Sequence, residues 1–376
     1  MLTVLGVLLA LLVLVAGAGY GYAQYRYDQI PKVAVPAERP PSGPAFNMLV
    51  IGSDTRAGAK ASTGVGTSTT VTGQRSDVLM VWHVVPASHQ ITILSIPRDT
   101  MAQMVGSNVG RFGRFNRINA AYNTGPNLLV QTVQDDLGIP ISHVVEVDFA
   151  GFKGTVDALG GVYMDFRDPA KDAWSGLNMT RTGCQLLNGT AALAVARSRH
   201  YQYEQNGQWV ATPISDLGRI KRQDSFLRSL VDAAKRTRDP LRLNAFLGSL
   251  HQGVTVDTGF SLGDLLRLAF DFRSVTPNSI TAYTLPIVTV GAVTPWGDVL
   301  FVTASHAHAL LAKIFGAELV RPSTPPPGPS LQPVTVLGAP LPPPSAQSAA
   351  GGAGVSTSST APNATPPYDP TPCSPG

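Results

Sequence analysis

The sequence predicts an α/β fold with a mixed central β-sheet covered by helices on both faces, preceded by one transmembrane helix. Three observations point there. Strand-like and helix-like segments alternate from Phe46 to about residue 320. Two apolar runs, Val78–Val85 and Ile91–Ile96, flank a Pro86-Ala-Ser-His89 break, the pattern of antiparallel strands joined by a tight connection. Residues 2–19 are apolar throughout and carry no charge.

As a helix rising about 1.5 Å per residue, the run 2–19 is just long enough to span a bilayer. A cleaved signal peptide is the rival, because Gly21-Tyr-Ala23 offers a small-residue site. No basic segment precedes the run, and Arg26 and Lys32 follow it, so flanking charge orients it weakly. We read 1–22 as a single-pass anchor in the cell membrane, with the bulk of the chain on the extracytoplasmic face. Residues 23–45 read as a Pro-rich stalk, 46–320 as the folded domain, and 321–376 as a disordered Pro-rich tail.

Within the domain, Phe46–Ile51 is a strand ending in Gly52-Ser-Asp-Thr-Arg56, and 57–74 is a Gly/Ser/Thr-rich loop. Residues 101–116, with Arg111 and Arg114, read as a loop or lid. Arg117–Tyr122 opens a helix that resumes after Gly125-Pro126 and stops at Gly138-Ile-Pro140. Val144–Phe149 is strand-like, Phe152–Leu159 helical, and Gly160-Gly161 turns the chain into the strand Val162–Phe166. Leu187–Arg199 is a helix capped near Asn188. A polar loop at 200–215 leads to a helix from Asp216 to Arg236. Helices Leu262–Phe272 and Thr303–Phe315 and strands near Ile280–Val290 and Val299–Val302 complete the domain, as packing rather than chemistry.

Composition narrows the function. A chain of 376 residues with 44% hydrophobic content can bury a sizeable core. Only 14% is charged and the net charge is +4, which argues against a general nucleic-acid binder. Cys184 and Cys373 form no metal framework; they make one disulfide in an oxidising compartment, or remain two thiols. His83, His200, His306 and His308 have no partners at metal-ligand spacing. Trp82, Trp174 and Trp209 suit sugar stacking, with core or loop packing as the plainer account.

The chemistry gathers at 75–99. If the two runs pair about the break, opposed positions sum to about 175. Asp77 then lies opposite Arg98, with Arg75 and Asp99 next door, and Arg75 and Asp77 share a strand face. An antiparallel strand 46–51 alongside would bring Asp54 beside Asp77. A carboxylate among guanidiniums at a strand end suits a phosphate whose divalent cation the acid holds; a surface salt-bridge cluster is the alternative. Arg197 and Arg199 end a helix, where they also satisfy its dipole. Arg219, Arg222 and Gln223 share a helical face suited to an oxyanion.

Seven segments stand in order: GSDTR, RSD, SIPRD, RINAAY, DALGGV, LNGTAALAVARSRH and DLGRIKRQ. With them the chain resembles the LytR–CpsA–Psr family of bacterial cell-wall glycopolymer ligases, most closely actinobacterial members. The resemblance runs clearly from Phe46 to Arg236 and more weakly to about residue 320. It implies a phosphotransferase dependent on Mg²⁺ (or Mn²⁺). Such an enzyme moves a glycopolymer, such as arabinogalactan or a teichoic-acid-like polymer, from a polyprenyl-pyrophosphate carrier onto peptidoglycan through a phosphodiester. It implies metal-holding Asp54 and Asp77, and a catalytic set of Arg75, Asp77, Arg98 and Asp99. Pyrophosphate would be bound by Arg75, Arg98, Arg117, Arg197, Arg199, Asp216, Arg219 and Gln223, with Arg222 adjacent to that motif. The implied partners are the lipid-linked donor, peptidoglycan and the cytoplasmic membrane, with no nucleic acid. The lipid tail calls for an apolar tunnel between sheet and helices, and the long loops 57–74 and 200–215 would reshape the acceptor side. A glycolipid-binding protein without transfer and a lipid pyrophosphatase are the alternatives.

Overall fold

The computed structural model describes residues 14, 17–38, 45–54, 76–105, 115–212, 215–237, 239–272, 275–276, 279–289, 299–316 and 368–374. Strands β1 (Lys32–Val33), β2 (Phe46–Ser53), β3 (Ser76–Val85), β4 (Gln90–Ser95), β5 (His143–Val147), β6 (Val254–Asp257) and β7 (Ile280–Thr284) form the central sheet. Their order is β1-β6-β5-β2-β3-β4-β7. Three neighbouring pairs are parallel (β1 with β6, β2 with β5, β4 with β7) and three antiparallel, so the sheet is mixed. The helices are α1 (17–28), α2 (Ile118–Thr124), α3 (Pro126–Leu137), α4 (Phe149–Ala158), α5 (Gly189–Arg197), α6 (Ser215–Arg236), α7 (Pro240–Leu250), α8 (Leu262–Phe272) and α9 (Ala304–Phe315).

The central strands are apolar on both faces because both are covered. Leu49, Ile51, Leu79, Val81, Leu94 and Val144 pack with α2, α3 and α9 through Tyr122, Leu129, Val133, Leu310 and Leu311. The alternating residues Met48, Val50, Met80 and Val145 face the opposite side, toward α4 to α8. β3 and β4 pair with Met80 opposite Ser95 and Val85 opposite Gln90, the register expected from the sequence. Pro86–Ser88 is a single 3₁₀ turn, closed by His89 in the left-handed region at φ 52°.

Several elements depart from the sequence reading. The segment expected to be a loop at 200–215 contains a hairpin, Gln202–Gln205 against Gln208–Ala211, turned by Asn206-Gly207 with both φ positive. Asn-Gly is a strong two-residue hairpin signal, and the polar composition around it obscured it. The hairpin joins Ala170–Asp172 and Leu177–Met179 in a four-stranded antiparallel sheet. Met101–Gln103 pairs with Phe115–Arg117 inside the expected lid; Arg111 and Arg114 lie outside the described residues.

Residues 23–38 of the expected stalk are built into the domain. Tyr27 and Ile30 are buried against Leu250, Val254, Val256, Phe260 and Leu262, and β1 forms an edge of the central sheet. Apolar burial outweighs the Pro-rich composition of the following residues. Among the described residues no helix is long and apolar enough to cross a membrane; residues 1–13, 15 and 16 lie outside them. The far end of the expected disordered tail is also ordered. Thr371–Pro372 pairs with Val162–Phe166, and Cys373 is bonded to Cys184.

Candidate active site

The sheet face toward α4–α8 does not close. A cavity of about 360 Å³ lies between β2, β3 and β5 on one side and α4, α5, α6, α7 and α8 on the other. Its wall is almost wholly apolar, from Met48, Val50 and Met80 on the sheet to Phe152, Leu227, Phe246 and Leu265 on the helices. Sequence reasoning took 241–320 as packing alone; α7 and α8 from that stretch make one wall. Val50, Val78 and Val145 on this face are only half-buried, whereas Leu49, Ile51 and Val144 on the other face are fully buried.

Polar residues gather where β2 ends and β3 begins. Gly52 pairs with Val78 but Ser53 with Ser76, so Asp77 is the extra residue of a β-bulge. Bulges re-aim a side chain, and here the re-aimed side chain is a carboxylate lining the cavity. Gly52 suits the close approach, because a Cβ there would stand 2.8 Å from that of Val78.

Around Asp77 the charges alternate. Arg98 Nη1 donates to Asp77 Oδ1 at 2.6 Å, and Arg199 Nη2 stands 3.9 Å from the same oxygen. Arg98 Nε reaches Asp99 Oδ2 at 3.4 Å, and Arg117 Nη1 is 3.6 Å from Asp99 Oδ1. The sequence placed Asp77 opposite Arg98; the ladder ends at Met80 and Ser95, and the two side chains meet just beyond it. Asp99 sits one step further out, as the acid between Arg98 and Arg117. All these side chains keep a quarter or so of their surface open to solvent, with Arg117 the most open at 38%.

The opposite wall adds Arg197, from the last turn of α5, and Arg219 and Gln223 from α6. The Arg197 guanidinium lies over the Phe149 ring at 4.6 Å. Gln223 Nε2 donates to Ala196 O at 2.9 Å, tying α6 to the carbonyl end of α5. Arg222 is a correction: although it lies beside Arg219 and Gln223 in sequence, it is fully buried and turned away from the cavity. Its Nη1 pairs with Asp369 at 2.6 Å and its Nη2 donates to Ser198 O at 2.8 Å. At about 100° per residue, Arg222 and Gln223 fall on opposite sides of Arg219 around the helix, so the side that turns Gln223 to the cavity turns Arg222 away from it.

Asp54 follows the last residue of β2 and is half-buried. Arg75 lies outside the described residues, as does the side chain of Asp216, whose backbone is in α6. Three positioning residues escaped the sequence reading. Asn119 Oδ1 accepts from Ser76 N at 2.9 Å, and Asn119 N donates to Arg98 O at 3.2 Å, so α2 clamps both strands of the charged end. Asp148 caps α4 through Gly151 N, and burial pushes its carboxyl up against the pull of the Gly151 and Ala150 amides and of Lys153. Asp172 fixes the turn that carries Arg199. Each is a small polar residue at an element end, a type too common to single out by sequence.

His83 is a satisfied core residue, with Nδ1 2.8 Å from Asn47 Oδ1 and its ring edge-on to Phe315; burial lowers its pKa. Among the described residues no group of three or more His, Cys, Asp or Glu side chains stands at metal-ligand spacing. Asp54 and Asp77 offer hard oxygen donors from adjacent strand ends. That donor set fits a magnesium ion, which takes one or two carboxylates and completes its shell with water and phosphate oxygens.

Fold and site define an α/β protein with an apolar cavity opening beside an acid–arginine cluster. The LytR_cpsA_psr family model matches residues 24–313, and the chain belongs to that family. The match begins ahead of Phe46, where α1 and β1 join the domain. The chain is 32% identical over 276 residues to "Probable cell wall biosynthesis protein LcpB" of Corynebacterium glutamicum, covering 70% of this chain and 61% of that protein. It is 30% identical over 234 residues to the polyisoprenyl-teichoic acid–peptidoglycan teichoic acid transferase TagU of Halalkalibacterium halodurans, covering 62% of this chain and 67% of that protein. Against the corynebacterial LcpB and LcpA, the match thus spans 61% and 56% of the relative's own length. Among solved structures, the LytR-Csp2A-Psr enzyme from Actinomyces oris superposes with a TM-score of 0.58 at 24% identity, covering 78% of this chain and 97% of that one. Bacillus subtilis TagV superposes with a TM-score of 0.55 at 25% identity, covering 73% and 97%. The mixed α/β fold is therefore that of these enzymes.

Proposed function

We propose that the protein is a phosphotransferase that moves a glycopolymer from a polyprenyl-pyrophosphate carrier onto peptidoglycan. The observation that carries this reading is the junction of an apolar cavity with the Asp77–Arg98–Arg199 cluster and Arg197. A polyprenyl tail is apolar and a pyrophosphate diester carries about two negative charges, so one lipid fits both halves. Relatives named as teichoic acid transferases support the same class of reaction.

In this reading Arg98, Arg197 and Arg199 hold and orient the pyrophosphate, and Asp54 and Asp77 hold Mg²⁺. The bound ion would neutralise charge on the bridging oxygen. An acceptor hydroxyl attacks the phosphorus bearing the glycan and the bond to the lipid phosphate breaks. Products are a glycan phosphodiester on the wall, the lipid phosphate, and the hydroxyl proton. Water in place of the hydroxyl gives a pyrophosphatase side reaction. Guanidiniums aimed at the developing charge are worth on the order of 10²–10³ in rate each. The disulfide supports placement outside the cytoplasm, with 1–22 as the anchor. Arabinogalactan and teichoic-acid-like polymers are the donors this chemistry accommodates.

The test is release of lipid phosphate from a polyprenyl-pyrophosphate glycan, with and without Mg²⁺ and with and without peptidoglycan. Magnesium-dependent release coupled to phosphodiester formation on peptidoglycan is expected. Tight lipid binding without release in the presence of both would replace this reading with that of a glycolipid-binding protein.

A further inference from the structure

The four-stranded sheet beside the mouth has an outer face that phosphoryl transfer does not use. Directly paired residues point the same way: Lys171 pairs with Asn178 and Gln202, and Glu204 with Trp209. One face therefore presents Lys171, Asn178, Gln202, Glu204 and Trp209. The other presents Ala170, Leu177, Met179 and Tyr203, which pack into a core. Trp209 is 43% exposed with Lys171 Nζ 3.9 Å from its ring centre. Trp174, in the turn at one end of the sheet, is 81% exposed, and its ring centre lies 5.5 Å from that of His200. Core packing does not account for either indole.

This surface is tied to the charged mouth by one buried carboxylate. Asp172 Oδ1 accepts from Trp174 N at 2.9 Å and Ser175 N at 3.3 Å. Its Oδ2 accepts from Ser198 Oγ at 2.7 Å, Arg199 N at 3.0 Å and His200 N at 2.9 Å. The turn carrying Trp174 and the turn carrying Arg199 are thereby held in one fixed relation. Arg199 in turn stands 3.9 Å from Asp77.

We propose that this sheet is the subsite for the acceptor glycan strand. Sugar rings stack on Trp174 and Trp209, and their hydroxyl and acetamido groups bond to Gln202, Glu204 and Asn178. Indoles beside mixed donors and acceptors match the apolar faces and polar edges of pyranose rings. The proposal rests on the phosphotransferase reading. The donor already has its tail in the cavity and its pyrophosphate on arginines. The acceptor has neither hold, so its recognition falls to contacts with sugar.

The test uses the full chain, with Trp174→Ala, Trp174→Phe and Trp209→Ala, each shown to be folded by circular dichroism. A soluble tetramer of β-1,4-linked N-acetylglucosamine serves as the probe for binding, followed by tryptophan fluorescence. Transfer to peptidoglycan gives KM for acceptor and donor separately. Trp174→Ala is expected to weaken tetramer binding and raise acceptor KM by tenfold or more, with donor KM within twofold and Trp174→Phe largely restoring both. Unchanged acceptor KM in both Ala variants overturns the proposal, as does a rise in donor KM instead, which would assign the sheet to the donor sugar. If wild-type protein neither transfers nor hydrolyses, the phosphotransferase reading fails by itself. Tetramer binding then decides the subsite: Trp174-dependent binding upholds it and no binding ends it.

Discussion

Arg222 Nη1 lies 2.6 Å from Asp369 Oδ1 with both side chains fully buried, so a residue near the C-terminus neutralises a helix in the middle of the chain. The guanidinium also lies 4.6 Å over the Tyr201 ring and donates to Ser198 O, which props the turn bearing Arg197 and Arg199. Burial pushes the Asp369 carboxyl up, and Arg222 pulls it back. Asp369→Ala leaves the guanidinium buried and unpaired, and should cost about 3–5 kcal/mol in urea unfolding. The same segment carries Cys373, so Asp369→Ala and the Cys184→Ser/Cys373→Ser pair should be strongly non-additive. Additive losses would mean that the disulfide and the ion pair hold the segment independently.

The Asp77–Arg98 pair is partly open to water, so it contributes little to stability, on the order of 1 kcal/mol or less. Asp77→Asn and Arg98→Ala should leave the melting temperature within a few degrees of wild type and lower phosphate release by about 10²–10³-fold. Activity within tenfold of wild type in either variant would move the chemistry away from the bulge.

The hairpin was legible in the sequence because two apolar runs flank a short Pro-Ala-Ser-His break, and folding back about that break fixes which positions oppose one another. The bulge at Asp77 was not, since a one-residue irregularity leaves no mark in a hydrophobic pattern. Arg197, Arg219 and Gln223 were read as site residues and do line the cavity. Arg222 was read with them because helical spacing gives a face but not what packs against its flank; the partner, Asp369, comes from a segment whose composition resembles a disordered tail. The cavity wall was missed for a related reason. Apolar periodicity in α7 and α8 is the same whether a helix closes on a core or stands off from a sheet.

Asp136, at the end of α3, has its pKa raised from 3.8 to about 6, by burial first and against the pull of the Gln103 amide. The folded state thus keeps a proton that the unfolded chain gives up between about pH 4 and pH 6. Its contribution is present in full below that window and is lost as pH rises through it. Asp136→Asn should therefore raise the melting temperature at pH 7 relative to wild type and leave it unchanged near pH 3.5. Equal shifts at both pH values would show that the substitution acts through something other than this proton.

Val145 lines the cavity from β5, within the central sheet, while also packing partly against the cluster of Leu250, Val254 and Phe260. Overpacking costs stability where a core is already full, but the cavity of about 360 Å³ beside Val145 leaves room for most of a larger side chain. Val145→Trp should therefore fold with a melting temperature within a few degrees of wild type, while filling the space assigned to the polyprenyl tail. A long-chain polyprenyl phosphate should then bind at least tenfold more weakly, whereas inorganic pyrophosphate, which needs only the charged mouth, should bind as before. The pairing of readouts separates occlusion from damage: loss of both ligands with a lowered melting temperature means a disrupted sheet. Undiminished binding of the long-chain lipid by a folded Val145→Trp protein would show that the tail lies elsewhere, and the cavity would then have no part in donor recognition.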